Sequence, residues 1–335
     1  MRKYLIYLEF PEKYISRLKK IAPHYEFISC PDRAELMKHL PGTEILMTFI
    51  GKFDAELLAL APDLKWIQAI TAGVDNLPLK EIGDRRIILT NVRGVHKIQM
   101  AEFAIAAMIN FARNFHVMHR NQIKRVWDHS IPQAEIYGKV VGIVGLGSIG
   151  EEIARKASFF GMRVLGVRKT PLPTKHVDRV YGIEEMDEVF RKSDYIINLL
   201  PLTAGTQKLI DKRYFASMKK TACFINIGRG PTVNQADLVD ALKNNRIGGL
   251  VADVYEEEPL PEDSPLWNLE NVILAPHIAG VSPHYMERAM DIIRHNLKAY
   301  VGQSGEMMNV VDFSICYYCH VPQKCYKNGF GYLIS

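Results

Sequence analysis

The chain has 335 residues, of which 48% are hydrophobic and 24% charged, and a formal net charge of +5. That length suits two domains better than one core, and the composition excludes a disordered or fibrous chain. The positive charge is spread along the sequence, so it does not call for nucleic acid, although it suits an anionic cofactor and substrate.

The opening MRKYLIYLEF lacks the apolar core and small-residue cleavage site of a signal peptide. It reads as a first strand at residues 3–8, and a cytoplasmic location is the expectation. Further strands are expected at residues 25–29, 44–48, 66–70 and 86–90, with helical patterns at 12–21, 33–39 and 54–61. This is a small α/β domain with a parallel sheet. Residues 100–125 form one long helical pattern, ~40 Å at ~1.5 Å per residue. Its apolar first half contains Asn110, is too short to span a bilayer, and is too apolar to stay exposed. No membrane partner is expected, and a homodimer is. A second α/β unit follows, with strands near residues 140–144, 163–167, 195–199, 222–227, 249–252 and 272–275. A last helix, residues 283–300, can return the chain to the first domain.

The sequence VVGIVGLGSIG carries the most specific signal. A buried strand runs into Gly145-Leu-Gly147-Ser148-Ile149-Gly150, and a helix follows from Ser148 to about Phe160. Gly145 allows the tight turn, Gly147 lets backbone approach a pyrophosphate, and Gly150 lets the helix pack against its strand. The phosphates then meet the first-turn N–H groups and the positive end of the helix dipole. Strand, glycines and helix in this order meet the context required of a dinucleotide site. The second strand ends at Arg168-Lys169-Thr170, where an NAD site carries an acid to accept from the ribose 2′-OH. Arg168 can instead pair with a 2′-phosphate, so NADP(H) is expected as the preferred cofactor, with NAD(H) also admitted.

Polar groups recur where later strands end. Arg229, between Gly228 and Gly230, either reaches a substrate carboxylate with a bidentate fork or makes a structural ion pair. In Asp253-Val-Tyr-Glu-Glu-Glu258-Pro259, Glu256 and Glu257 read as a solvated turn. His277, in Ala275-Pro-His-Ile-Ala-Gly280, is by itself more often structural than catalytic, and His96 and His284 keep that reading. Cys316, Cys319 and Cys325 crowd the end of the chain with His320 beside Cys319. This is neither a disulfide framework nor a complete zinc pattern, so no metal is expected.

Taken together, GLGSIG, LLPLTAGT, INIGRG, DVYEEEPLP and PHIAG resemble the D-isomer-specific 2-hydroxyacid dehydrogenase family, from about residue 40 to Phe313. The resemblance implies a Rossmann doubly wound parallel sheet, residues 99–283, inserted into a smaller flavodoxin-like α/β substrate domain, residues 1–98 plus 284–313. Residues 314–335 fall outside it as an atypical C-terminal tail. It implies hydride transfer between NAD(P)H and a small 2-oxo or D-2-hydroxy acid. His277 is then the general acid and base, Glu258 its hydrogen-bonding partner, and Arg229 the carboxylate ligand that also polarises the carbonyl. Asp253 is expected to receive the nicotinamide carboxamide. Leu200, Pro201, Thr206, Ile227, His277 and Gly280 are expected to line the cofactor site. Phe49, with Ile50, Gly51 and Lys52 beside it, and the loop amides of Ala72 and Gly73 are expected to face the substrate. Relatives of this fold also act as corepressors, so a cofactor-sensing binding protein is the alternative. No peptide-docking extension appears, which favours the enzyme.

Overall fold

In the first strand, β1 (Arg2–Tyr7), side chains alternate between two faces of a sheet. Tyr4 and Ile6 enter one core and Leu5 and Tyr7 the other. A strand apolar on both faces is a strand covered by helices on both sides, the condition of a parallel sheet. The computed structural model describes residues 2–49, 52–74 and 77–313. The chain divides into two units: the chain up to Val95 together with the chain from Ser282 on, and His96–Val281.

The first unit runs β1, α1 (Glu12–Lys19), β2 (Tyr25–Ser29), α2 (Arg33–His39), β3 (Thr43–Thr48), α3 (Ala55–Ala59), β4 (Trp66–Ala69), α4 (Leu79–Asp84) and β5 (Ile88–Thr90). Helix α4 was not expected from the sequence. The strands pair in parallel in the order β2-β1-β3-β4-β5, which is the flavodoxin-like order. Asp32 and Asp54 cap α2 and α3 by accepting from the amides of Glu35 and Leu57.

The second unit opens with α5 (Lys97–Ala112) and α6 (Phe115–Lys124). The expected single helix over residues 100–125 is therefore two. The break is at Asn114, which adopts the left-handed conformation at φ 52°. Its side chain donates to the Pro132 carbonyl at 2.7 Å, and the Asn110 side chain accepts from the His116 amide at 3.1 Å. Asparagine tolerates this conformation, and these bonds replace the helical ones that are lost. One face of α5 packs within the unit, while Met100, Phe103, Ile109 and Phe111 are only partly buried. Ala101, Ala104, Ile105 and Met108 are buried in one core with Ile153, Ala154 and Ala157.

The chain continues as β6 (Val140–Val144), α7 (Ser148–Phe159), β7 (Arg163–Val167), β8 (Arg179–Tyr181), α8 (Met186–Lys192), β9 (Tyr195–Asn198), α9 (Lys212–Ser217), β10 (Cys223–Asn226), α10 (Gln235–Lys243), β11 (Gly249–Ala252) and β12 (Val272–Leu274). The seven strands form one parallel sheet, ordered β12-β11-β10-β9-β6-β7-β8. This is the doubly wound Rossmann order, with its topological switch between β6 and β9. Both fold classes expected from the sequence are present. Strand β8 was not expected. It is three residues long and pairs only with β7, so periodicity had little to report.

Helix α11 (Tyr285–Tyr300) packs on the first unit. Tyr285 donates to the Ile70 carbonyl at 2.8 Å, and Asn296 donates to the buried Gln68 side chain at 3.1 Å. No helix among the described residues is long and apolar enough to cross a membrane. Ile50, Gly51, Asp75 and the tail with Cys316, Cys319, His320 and Cys325 lie outside the described residues.

Candidate active site

The second unit gathers its polar side chains at the carboxyl ends of its strands. The three loop glycines divide their work there. Gly145 sits at φ +101°, a conformation that side chains rarely adopt, and a Cβ on it would also crowd Leu199. A Cβ on Gly150 would stand 2.9 Å from the Gly145 carbonyl oxygen. A Cβ on Gly147 would meet nothing within 4 Å, so open space lies over this backbone. Gly147 is also the N-cap of α7 and brings no capping side chain. The amides of Ser148 and Ile149 therefore begin a helix whose positive end faces that space. These residues fit a dinucleotide pyrophosphate.

Arg168 follows β7. Its guanidinium lies 3.9 Å from the Glu151 carboxylate in the first turn of α7, and its side chain is 38% exposed. Lys169 and Thr170 are exposed beside it. Sequence reading passed over Glu151, which sets an acid beside the cation expected to meet a 2′-phosphate. On the other flank, the Thr206 hydroxyl donates to the Pro201 carbonyl at 2.6 Å and accepts from the Thr203 amide at 2.8 Å. That hydroxyl shapes the loop after β9. Leu200 and Ile227, just after β9 and β10, are buried.

Arg229 leaves β10 between two close approaches. A Cβ on Gly228 would stand 3.0 Å from Leu200 backbone, and one on Gly230 would stand 1.7 Å from the Tyr255 carbonyl oxygen. The guanidinium donates to the Gly228 carbonyl at 2.9 Å. Beneath it lies a buried network that the sequence did not announce. Asn198 donates to Asn226 at 2.9 Å and to the Thr232 hydroxyl at 2.8 Å, and that hydroxyl donates to the Arg229 carbonyl at 2.6 Å. An asparagine closing each of two apolar strands was the available signal.

Glu258 and His277 meet. Nδ1 of His277 lies 2.7 Å from Oε2 of Glu258, and Oε1 accepts the Tyr255 amide at 3.0 Å. Both side chains are mostly buried, at 28% and 20% exposure. His277 itself holds a left-handed backbone at φ 56°, an uncommon state for a residue with a side chain. Asp253 is buried, and both its oxygens take backbone amides, Ile278 at 2.7 Å and Ala279 at 2.9 Å. Burial pushes its carboxyl above the ordinary range, while those two amides pull it down. The bonds seen at Asp253 hold the loop after His277, a role the sequence did not suggest. Gly280, at the end of that loop, approaches the ring of His96.

Phe49, Ala72 and Gly73 belong to the first unit, after β3 and β4. Phe49 is buried. The Ala72 carbonyl accepts from the Asn91 side chain at 2.8 Å, and the Gly73 carbonyl accepts from the Thr71 hydroxyl at 2.8 Å. The loop's carbonyls are thus held by Thr71 from within it and by Asn91 from the segment after β5.

A doubly wound parallel sheet with this glycine loop defines a dinucleotide-binding protein of the Rossmann class. Residues 105–279 match the model of the D-isomer specific 2-hydroxyacid dehydrogenase NAD binding domain. A glyoxylate reductase of Korarchaeum cryptofilum is 33% identical over 308 residues, covering 87% of this chain and 90% of that protein. A D-isomer specific 2-hydroxyacid dehydrogenase family protein of Aeromonas salmonicida superposes with a TM-score of 0.82 at 32% identity, over 93% of this chain and 99% of that one. An NADPH-dependent glyoxylate/hydroxypyruvate reductase of Sinorhizobium meliloti, in complex with NADP and sulfate, superposes with a TM-score of 0.80 at 26% identity, over 93% and 98%. The chain belongs to the D-isomer-specific 2-hydroxyacid dehydrogenase family, an NAD(P)-dependent oxidoreductase acting on CH–OH donors.

Proposed function

We propose that this protein is an NADPH-preferring reductase of small 2-oxo acids, with His277 as general acid, Glu258 as its partner and Arg229 as the carboxylate ligand. The observation that carries this reading is the 2.7 Å bond between His277 and Glu258 in the unit that also holds the glycine loop. A carboxylate accepting from Nδ1 orients the ring and leaves Nε2 as the nitrogen that gives up the proton. A nicotinamide cofactor with its pyrophosphate at the glycine loop would supply hydride to C2 of the oxo acid in reduction and accept it in oxidation. His277 protonates the carbonyl oxygen as charge develops there, and in the reverse direction the neutral ring takes the hydroxyl proton. Arg229 pairs with the carboxylate and strengthens its hold as the oxygen gains charge.

The unit His96–Val281 is then the cofactor domain and the unit holding Phe49, Ala72 and Gly73 the substrate domain. Arg168 supports NADP(H), because a guanidinium suits a 2′-phosphate and offers a 2′-OH no acceptor. The relatives named glyoxylate reductase support glyoxylate or a close homologue as the oxo acid. A homodimer draws support from three exposed apolar side chains at the end of α6 and just beyond it, Ile123, Val126 and Trp127, at 72%, 51% and 87% exposure.

The test is kcat/KM for glyoxylate, hydroxypyruvate and branched 2-oxo acids with each of NADH and NADPH. Turnover of one of these acids with NADPH favoured supports the reading, and no turnover with any pairing defeats it. Light scattering tests the dimer, for which a monomer mass at working concentration is the contrary result.

A further inference from the structure

The loop that carries His277 is held by its amides at one side and by a carbonyl at the other. Asp253 takes the amides of Ile278 and Ala279. The Gly280 carbonyl takes two donors from the start of α5: Gln99 Nε2 at 3.0 Å and His96 Nδ1 at 3.2 Å. A carbonyl only accepts, so the bond to Gly280 belongs to the tautomer with its proton on His96 Nδ1, a nitrogen that Gln99 Nε2 also approaches at 3.5 Å. Burial favours the neutral ring, and the nearby charges of Arg229 and His277 push the same way. The approach is close by construction: a Cβ on Gly280 would stand 3.1 Å from His96 Nδ1 and 3.3 Å from Cε1. His277 meanwhile keeps its left-handed backbone, a state that persists only where the surroundings over-determine it.

We propose that His96 and Gln99 are positioning residues for His277, clamping the Gly280 carbonyl and so fixing the loop that aims the imidazole. The proposal rests on the reading of His277 as the proton donor. Glu258 sets the ring from its Nδ1 side, and Asp253 with the His96–Gln99 pair sets the backbone that bears it. Reaction geometry tolerates little displacement, so a loosened loop lowers the chemical step more than binding.

The experiment compares Gln99→Leu, His96→Ala and His96→Asn, each alone and in a His277→Ala background, with the full chain and NADPH. Gln99→Leu and His96→Ala should lower kcat by roughly 10- to 100-fold, the scale of an ångström of misplacement. The KM for the oxo acid and the affinity for NADPH, read by fluorescence, should barely change. His96→Asn keeps a side-chain N–H near the Nδ1 position and should recover most of the lost kcat. In the His277→Ala background none of the three should lower the residual rate further. A wild-type kcat in both Gln99→Leu and His96→Ala overturns the proposal, as does a further loss from His96→Ala once His277 is gone, which would make His96 act on the reactants itself. The ring resonance of His277 provides a readout independent of rate. It should broaden or split in Gln99→Leu and His96→Ala, and a resonance unchanged in both also overturns the proposal. Full activity in His277→Ala alone is a separate result, since it removes the reading of His277 on which the clamp depends.

Discussion

Glu258 divides its carboxylate between His277 and the chain that carries it: Oε2 lies 2.7 Å from the His277 ring and Oε1 takes the Tyr255 amide at 3.0 Å. The acid is itself anchored, so it can hold the imidazole at one angle instead of following it. If His277 is the proton donor, residual freedom in the pair is lost as rate, because the proton must be aimed.

His277→Ala should therefore lower kcat by ~10²–10⁴-fold, the usual contribution of a general acid or base. Cofactor affinity should barely change, since the phosphates are assigned to the loop from Gly145 to Gly150. Glu258→Gln keeps the shape but offers a single oxygen, so it cannot accept from both the Tyr255 amide and His277 Nδ1. If His277 delivers the proton, kcat should fall by up to ~10²-fold, the scale of a misplaced reacting group, with cofactor affinity unchanged. A wild-type kcat in this variant would refute the pairing.

Arg168→Asp should remove the partner of a 2′-phosphate and add repulsion. The preference for NADPH over NADH should fall by ~1–3 kcal/mol or more, on the scale of charge-assisted bonds. Glu151→Gln should move it the other way by a smaller amount, since the acid lies 3.9 Å from the guanidinium on an exposed surface. Ratios of kcat/KM for the two cofactors check both variants. Native protein that uses NADH at least as well as NADPH contradicts the assignment of Arg168.

Gly147→Ala and Gly230→Ala should behave in opposite ways. The methyl added in Gly147→Ala enters open space, and the backbone there is extended at φ −101°, so thermal stability should be unchanged while NADPH binding weakens. The methyl added in Gly230→Ala would fall 1.7 Å from the Tyr255 carbonyl oxygen, which is backbone and cannot swing aside. A loss of ~1–3 kcal/mol or more is expected from overpacking of this kind, together with loss of activity as Arg229 is displaced. Calorimetry and cofactor titration separate the two cases. Equal stability of both variants would count against this account of the loop.

Stability should fall on mild acidification. Burial holds the imidazoles of His96 and His116 below the ordinary value of 6.5. Between 6.5 and the lower folded values, the unfolded chain binds more protons than the folded one. The contribution of these rings is thus fully present above 6.5 and is lost as pH falls through the folded values. Glu35 and Asp54 are held low by Lys38 and Arg33, and their effect appears only below their ordinary values of 4.5 and 3.8. The Tm should drop between about pH 7 and about pH 5, the range in which histidine titrates. His96→Asn should make that slope shallower, and a slope equal to wild type would contradict the burial argument.

What the sequence determined by itself was local. The turn at Gly145, the strand before it and the helix after it lie within one short run, where side-chain size and backbone freedom act between near neighbours. The alternation in β1 and the apolar runs of β6, β9 and β10 likewise state how many faces of each strand are covered. The family could be recognised because these local signals recur in a fixed order. What only the tertiary structure decided depends on groups far apart in the chain. The helix break at Asn114 rests on a carbonyl at Pro132, and the bonds of Asp253 lie at Ile278 and Ala279. The network under Arg229 joins Asn198, Asn226 and Thr232 from separate segments. His96 reads as one more histidine until folding brings Gly280 to its ring, 184 positions later. Such partners leave no periodicity and no motif, because a hydrogen bond is fixed by distance in space, and distance along the chain does not report it.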